Sequence, residues 1–143
     1  TTEIYTLSLH DALPISVSQW EEWPQYEHRI IGMFGDTGFL NTALTETKKK
    51  HPGKEVLREQ LLTLKEAWPQ LKERLAKQLI PSYDMEKRLL AAGAPVKPEQ
   101  IGLSQERMKA SFLRALHIRS RFTVLDIAAR TGCLNRWLNE LYR

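Results

Sequence analysis

The sequence predicts an all-α fold, a multi-helix bundle, and three features carry that expectation. Apolar residues recur at three-to-four spacing through most of residues 17–143. No segment in that range has the strict alternation of a half-buried strand. Caps, prolines and glycines fall where helices start and stop.

The elements follow in order. Residues 17–50 read as short helices. "QWEEWPQYEHRIIGMF" places Trp20, Trp23, Ile30, Ile31 and Phe34 around Pro24, where a turn or kink is expected. "DTGFLNTALTETKKKH" reads as a second, shorter helix closed by Pro52 and Gly53. Lys48, Lys49 and Lys50 stand where a helix C-terminus favours cations and are expected to be solvated. Residues 53–80 carry an apolar stripe of Val56, Leu57, Leu61, Leu64, Trp68, Leu71, Leu75 and Leu79, with Pro69 expected to break or bend the helix midway. Residues 82–93 form a further helix with Ser82 as N-cap, Asp84 and Glu86 in the first turn, and Gly93 at its end. "APVKPEQIG" is a proline-fixed connector. Residues 104–143 then give three C-terminal helices. The first is capped by Ser104, with Leu103 and Met108 as a staple and Phe112, Leu113 and Leu116 turned inward. The second is capped by Thr123, with Asp126 three residues on and Phe122 and Ile127 as a second staple, and it closes at Gly132. "CLNRWLNELYR" forms the last. Phe122, Val124, Leu125 and Ile127 are expected in the core.

Residues 1–16, "TTEIYTLSLHDALPIS", differ from all that follows. They lack the basic residues and cleavage pattern of a secretory signal. Back-translated, Thr1 to Ile15 resembles one reading frame of a common sequencing adapter, so residues 1–16 are taken as a non-native tag and residues 17–143 as the folded unit. Leaving out Glu3 and Asp11 raises the net charge from +4 to +6. Such a charge permits an anionic partner without requiring one. Cys133 is the single cysteine, which allows no internal disulfide and fits a reducing, cytoplasmic setting. No apolar run approaches the ~18 residues of a membrane span.

Chemistry is sparse. Outside the tag, His28, His51 and His117 are far apart, and the chain has no Cys-x-x-Cys pair, phosphate loop or nucleophile elbow. His117 has Arg114, Arg119 and Arg121 nearby and is a candidate for an anion site, although a packing role is the favoured one. No catalytic, cofactor-binding or metal-binding residue is assigned. Residues 123–143 also fit a small helix-turn-helix DNA-binding unit. There, Ile127, Ala128, Leu138 and Leu141 would be internal, Gly132 would make the turn, and Asn135, Arg136, Asn139 and Arg143 would face the DNA. Trp137 near the groove-facing side and the acidic Glu140 speak against it, so nucleic acid is the weaker expectation.

Two blocks carry a sharper signal: Gly93-Ala94-Pro95 with Pro98-Glu99-Gln100-Ile101-Gly102, and Ile118-Arg119 with Arg121-Phe122-Thr123-Val124-Leu125 and Gly132. The stretch containing them resembles the C-terminal part of bacterial and archaeal glycerol-1-phosphate dehydrogenases, which group with iron-containing alcohol dehydrogenases and dehydroquinate synthases. The resemblance implies a two-domain parent: a Rossmann-like NAD(P)-binding domain followed by an all-helical domain, with the active site between them. A divalent metal, zinc or nickel, held by one Asp and two His, would polarise dihydroxyacetone phosphate for hydride transfer from NAD(P)H. Those ligands belong to motifs upstream of the matched blocks, so the chain alone is expected to be an inactive helical fragment that binds neither cofactor nor metal. The partners implied are the missing nucleotide-binding domain and a small phosphorylated substrate, with a homo-oligomer left open and no membrane. Arg119 and Arg121 would either pair with carboxylates, the favoured role, or line a phosphate pocket.

Overall fold

The computed structural model describes residues 17–35 and 37–142. The adapter-like residues 1–16 and Arg143 lie outside that range. The described residues contain helices and no strand, and none of their helices is long and apolar enough to cross a membrane. The helices are α1 (Trp23–Phe34), α2 (Leu40–Lys48), α3 (Lys54–Gln78), α4 (Ser82–Ala91), α5 (Gln105–Ala115), α6 (Val124–Arg130) and α7 (Leu134–Leu141), with a 3-10 turn at Pro98–Ile101 before α5.

Pro24 does not kink α1. It sits in the first turn, where its missing N–H has no helical partner to lose. From there Tyr26, Ile30 and Phe34, spaced four apart, make one buried face. Ile31 lies off that face and is exposed, and Tyr26 completes the buried row. The small side chain of Ala43 on α2 completes this cluster and lets the two helices approach closely, with Trp20, Trp23, Met33, Leu40 and Leu44 around it.

Of the break or bend expected at Pro69, the break does not occur, since α3 runs as one helix through that residue. Proline removes one backbone hydrogen bond, at a typical cost of ~3 kcal/mol. Pro69 is exposed, so its ring meets solvent and no tertiary contact forces a break there. Leu57 and Leu61 are buried against Val17 and Trp20, whereas Val56 and Leu79 are exposed. α4 begins differently from expectation as well. Pro81 occupies the N-cap position and Ser82 is the first helical residue, with no side-chain cap bond. Gly93, at φ +70°, ends the helix as expected.

α5 to α7 build a second cluster of Leu116, Ala128, Leu134 and Leu138, flanked by Phe112, Leu113, Leu125, Trp137 and Tyr142. Ser104 caps α5 through an N–H bond from Arg107 at 3.2 Å. Gly132, at φ +71°, turns the chain from α6 into α7. Two expected core positions fail here. Phe122 is 55 % and Val124 69 % exposed, and Leu125 and Ile127 are only partly covered. Phe122 and Val124 flank the Thr123 cap, where the chain has not yet reached the packed face of α6. The Arg130 guanidinium covers the Phe122 ring at 4.7 Å, which supplies the contact that the core does not.

Candidate functional site

The two clusters meet at a polar junction built from residues far apart in sequence. The α2 end contributes Thr47 and Lys50, the segment after α5 contributes His117, and α6 contributes Asp126 and Arg130. Asp126 reaches its place because it is the third helical residue after Thr123. One of its oxygens accepts the Thr123 N–H at 2.8 Å and the Thr123 hydroxyl at 3.0 Å. Its other oxygen lies 2.7 Å from Lys50 Nζ, in an ion pair with both side chains almost wholly buried. Lys50 is therefore not a solvated end charge as its position suggests. Its carbonyl accepts a 2.6 Å bond from Arg130 Nη2, and Arg130 Nη1 bonds the Gln60 side chain of α3. Burial pulls the Arg130 guanidinium below its ordinary value, and Asp126 opposes that shift.

His117 is 1 % exposed. Its Nδ1 lies 3.1 Å from Thr47 Oγ1, and the Thr47 hydroxyl donates to the His117 carbonyl at 3.4 Å. A neutral ring protonated on Nδ1 satisfies both bonds at once. The edges of Tyr26 and Phe34 close over the imidazole, with ring centroids 5.7 and 6.3 Å away. Burial, reinforced by the positive charges of Arg29 and Lys50 and opposed by Asp126, pushes its pKa down to about 4. His117 is thus a packing residue with no free cation to offer an anion. His51 is also engaged: it stacks on Trp20 and bonds the Glu21 carbonyl through Nε2 at 3.0 Å. Among the described residues, no three His, Cys, Asp or Glu side chains are grouped to hold a metal.

Arg119 and Arg121 lie on the exposed loop between α5 and α6. The loop is fixed at its middle, where the Ser120 N–H donates to Glu46 at 2.9 Å, and at its end, where Thr123 meets Asp126. Contrary to the favoured pairing role, neither arginine has a carboxylate partner among the described residues. Arg114, the third arginine of the group, turns away and donates to the Met33 carbonyl at 3.3 Å. A cleft of about 240 Å³ opens on another side, between α1 and the α5–α7 cluster. Its Arg29 is already engaged, 2.9 Å from Glu21 and stacked 4.5 Å over Tyr26.

Of the junction residues, the sequence singles out Asp126 by its capping signal and His117 by its neighbouring arginines. Lys50, Thr47 and Arg130 find their partners through tertiary contact, and no local pattern announces them.

No protein family, curated protein or solved structure matches this chain.

Proposed function

We propose that this chain is the helical portion of an NAD(P)-dependent and metal-dependent dehydrogenase that reduces dihydroxyacetone phosphate to sn-glycerol 1-phosphate. The observation that carries the proposal is the pinned loop within the second matched block. Ile118 to Leu125 spends Thr123 on holding the loop and leaves Arg119 and Arg121 exposed, with no carboxylate partner among the described residues. Two such cations on an anchored loop suit a phosphate group. The metal and the nucleotide are not assigned to the described residues, among which His51 and His117 make internal contacts. Their sites, on this proposal, belong to sequence outside this chain.

The test is recovery of the natural reading frame upstream of Val17. It is expected to continue for a further ~200 residues as alternating strands and helices and to supply one Asp and two His. The restored protein should reduce dihydroxyacetone phosphate with NAD(P)H, and chelation should abolish the activity. Arg119→Ala combined with Arg121→Ala should raise KM for the phosphorylated ketone by about tenfold and leave KM for the nucleotide alone. A frame that opens on a native Met close to Val17, or that encodes no nucleotide-binding domain, would defeat the proposal.

One observation favours the DNA-binding alternative. Trp137 packs towards the α5–α7 cluster and so does not obstruct the outer face of α7, where Asn135, Arg136 and Asn139 are exposed. Leu141, expected inside, is 66 % exposed, and Leu134 is buried in its stead. Arg136 also lies 3.9 Å from Glu140, which dilutes the charge of that face. The alternatives separate by salt. A dehydrogenase fragment should bind DNA only weakly and without sequence preference, losing it by physiological salt. A DNA-binding unit should hold one site there and lose it on Asn135→Ala or Arg136→Ala, with about 0.9 in log–log salt slope for each phosphate contacted.

A further inference from the structure

Leu57, Leu61, Leu64, Trp68, Leu71 and Leu75 are separated by four, three, four, three and four residues along α3. That is a 3.5-residue repeat, the period of a coiled-coil seam. The fold uses only its beginning. Leu57 and Leu61 are buried, and Leu64 packs against them with Val17 and Trp20. Beyond that point the seam leaves the packed clusters, and no side chain between Leu62 and Ala115 is buried. Trp68, Leu71 and Leu75 are only partly covered along a helix that continues to Gln78.

The charges beside this partly covered seam are of one sign. Lys65 and Lys72 occupy one flank, and Ala67 and Arg74 the other, which are the positions facing a partner helix. The acids Glu66 and Glu73 fall on the opposite side of the helix. Glu73 is engaged there with Lys77 at 2.6 Å. Lys65, Lys72 and Arg74 have no carboxylate partner among the described residues.

We propose that the Leu64–Leu75 seam of α3 is a docking surface for an amphipathic helix of another polypeptide, whose apolar stripe is edged by Asp and Glu. A second copy of this chain fits less well. In a parallel pair the flanking cations would meet Gln60, Ala67 or Leu79 of the other copy, and in an antiparallel pair Lys65 and Lys72 would meet lysines. Neither arrangement brings a carboxylate to a cation, whereas an acid-edged helix neutralises both flanks while covering Trp68, Leu71 and Leu75. The surface is independent of the dehydrogenase proposal and is tested separately.

The probes are two synthetic helices of about three heptads, both with Leu along the seam, one with Glu and the other with Lys at the flanking positions. Each is titrated calorimetrically into the whole chain. The Glu helix should bind one to one, and more weakly as salt rises. Lys72→Glu combined with Arg74→Glu should weaken it about tenfold or more and leave the circular dichroism spectrum and thermal midpoint unchanged, because both residues are exposed. The Lys helix should bind the unmodified chain at least tenfold more weakly than the Glu helix. Equal binding of the two helices, or binding of neither, would overturn the proposal. So would sedimentation of the chain as a dimer that Trp68→Glu dissociates, because the occupant would then be a second copy.

Discussion

Replacing Asp126 with Ala is expected to cost about 3–5 kcal/mol of stability, the loss typical of breaking one side of a buried ion pair. Asp126 joins Lys50 at 2.7 Å and takes two bonds from Thr123, so the truncation strands a buried ammonium and uncaps α6 together. Asp126→Asn retains an oxygen for Thr123 and isolates the charge effect. Lys50→Met approaches the pair from the other side and leaves a carboxylate with one satisfied oxygen. The double variant Lys50→Met/Asp126→Asn should lose less than the sum of the two single losses, with a coupling in the range of roughly 0.5–3 kcal/mol expected of groups in direct contact. Urea midpoints at constant m-value measure all of these. Single losses below about 1 kcal/mol, the ordinary worth of a surface pair, would mean that water reaches the junction.

Acid should weaken the fold through His117 before it reaches most of the carboxylates. In the folded chain the ring stays neutral down to about pH 4, and in the unfolded chain it takes its proton near 6.5. Between those values the unfolded chain binds more protons, so stability rises with pH. The contribution is fully present above about pH 6.5 and is lost as the pH falls towards 4, a change of roughly 3 kcal/mol. His51, also lowered by burial, acts in the same direction. Glu46, held near 2 chiefly by its hydrogen bonds to Lys49 and Ser120, remains charged throughout this window. Unfolding free energies measured at half-unit steps from pH 4.5 to 7.5 should show the slope, and His117→Gln should flatten most of it whatever its own stability at neutral pH. Equal stability of the unmodified chain at both ends of the range would mean that His117 is protonated in place.

The helices were legible because their signals are local. The Ser104 bond to Arg107, the Thr123–Asp126 box and the positive-φ glycines at 93 and 132 each act within a few residues, and each lies where the sequence places it. Local signals misled where solvent or tertiary contact had the deciding role. Pro69 sits on an exposed face that tolerates it, and Pro81 displaces Ser82 from the cap. Phe122 and Val124 look like core by composition, yet they precede the turn of α6 that meets the cluster. Lys50 carried the most misleading signal, because a third lysine at a helix end ordinarily faces water and this one faces Asp126. The candidate site divides similarly. Arg119 and Arg121 were visible as a motif, but their lack of carboxylate partners among the described residues and the anchoring of their loop by Glu46 depend on the assembled fold.

The bonds that join the two clusters span 70 to 81 residues of chain, from Thr47 to His117 and from Met33 to Arg114. Helical proteins ordinarily fold fast because their contacts are made between near neighbours. Here the clusters can unite only after a loop of that length has closed, an entropic barrier of about 4 kcal/mol before any buried contact repays it. Because closure entropy grows only logarithmically, shortening the loop by half would recover merely ~0.6 kcal/mol of that barrier. The chain therefore keeps the mostly local contacts of a rapid folder, and the meeting of its two ends is expected to be the slowest step of its folding.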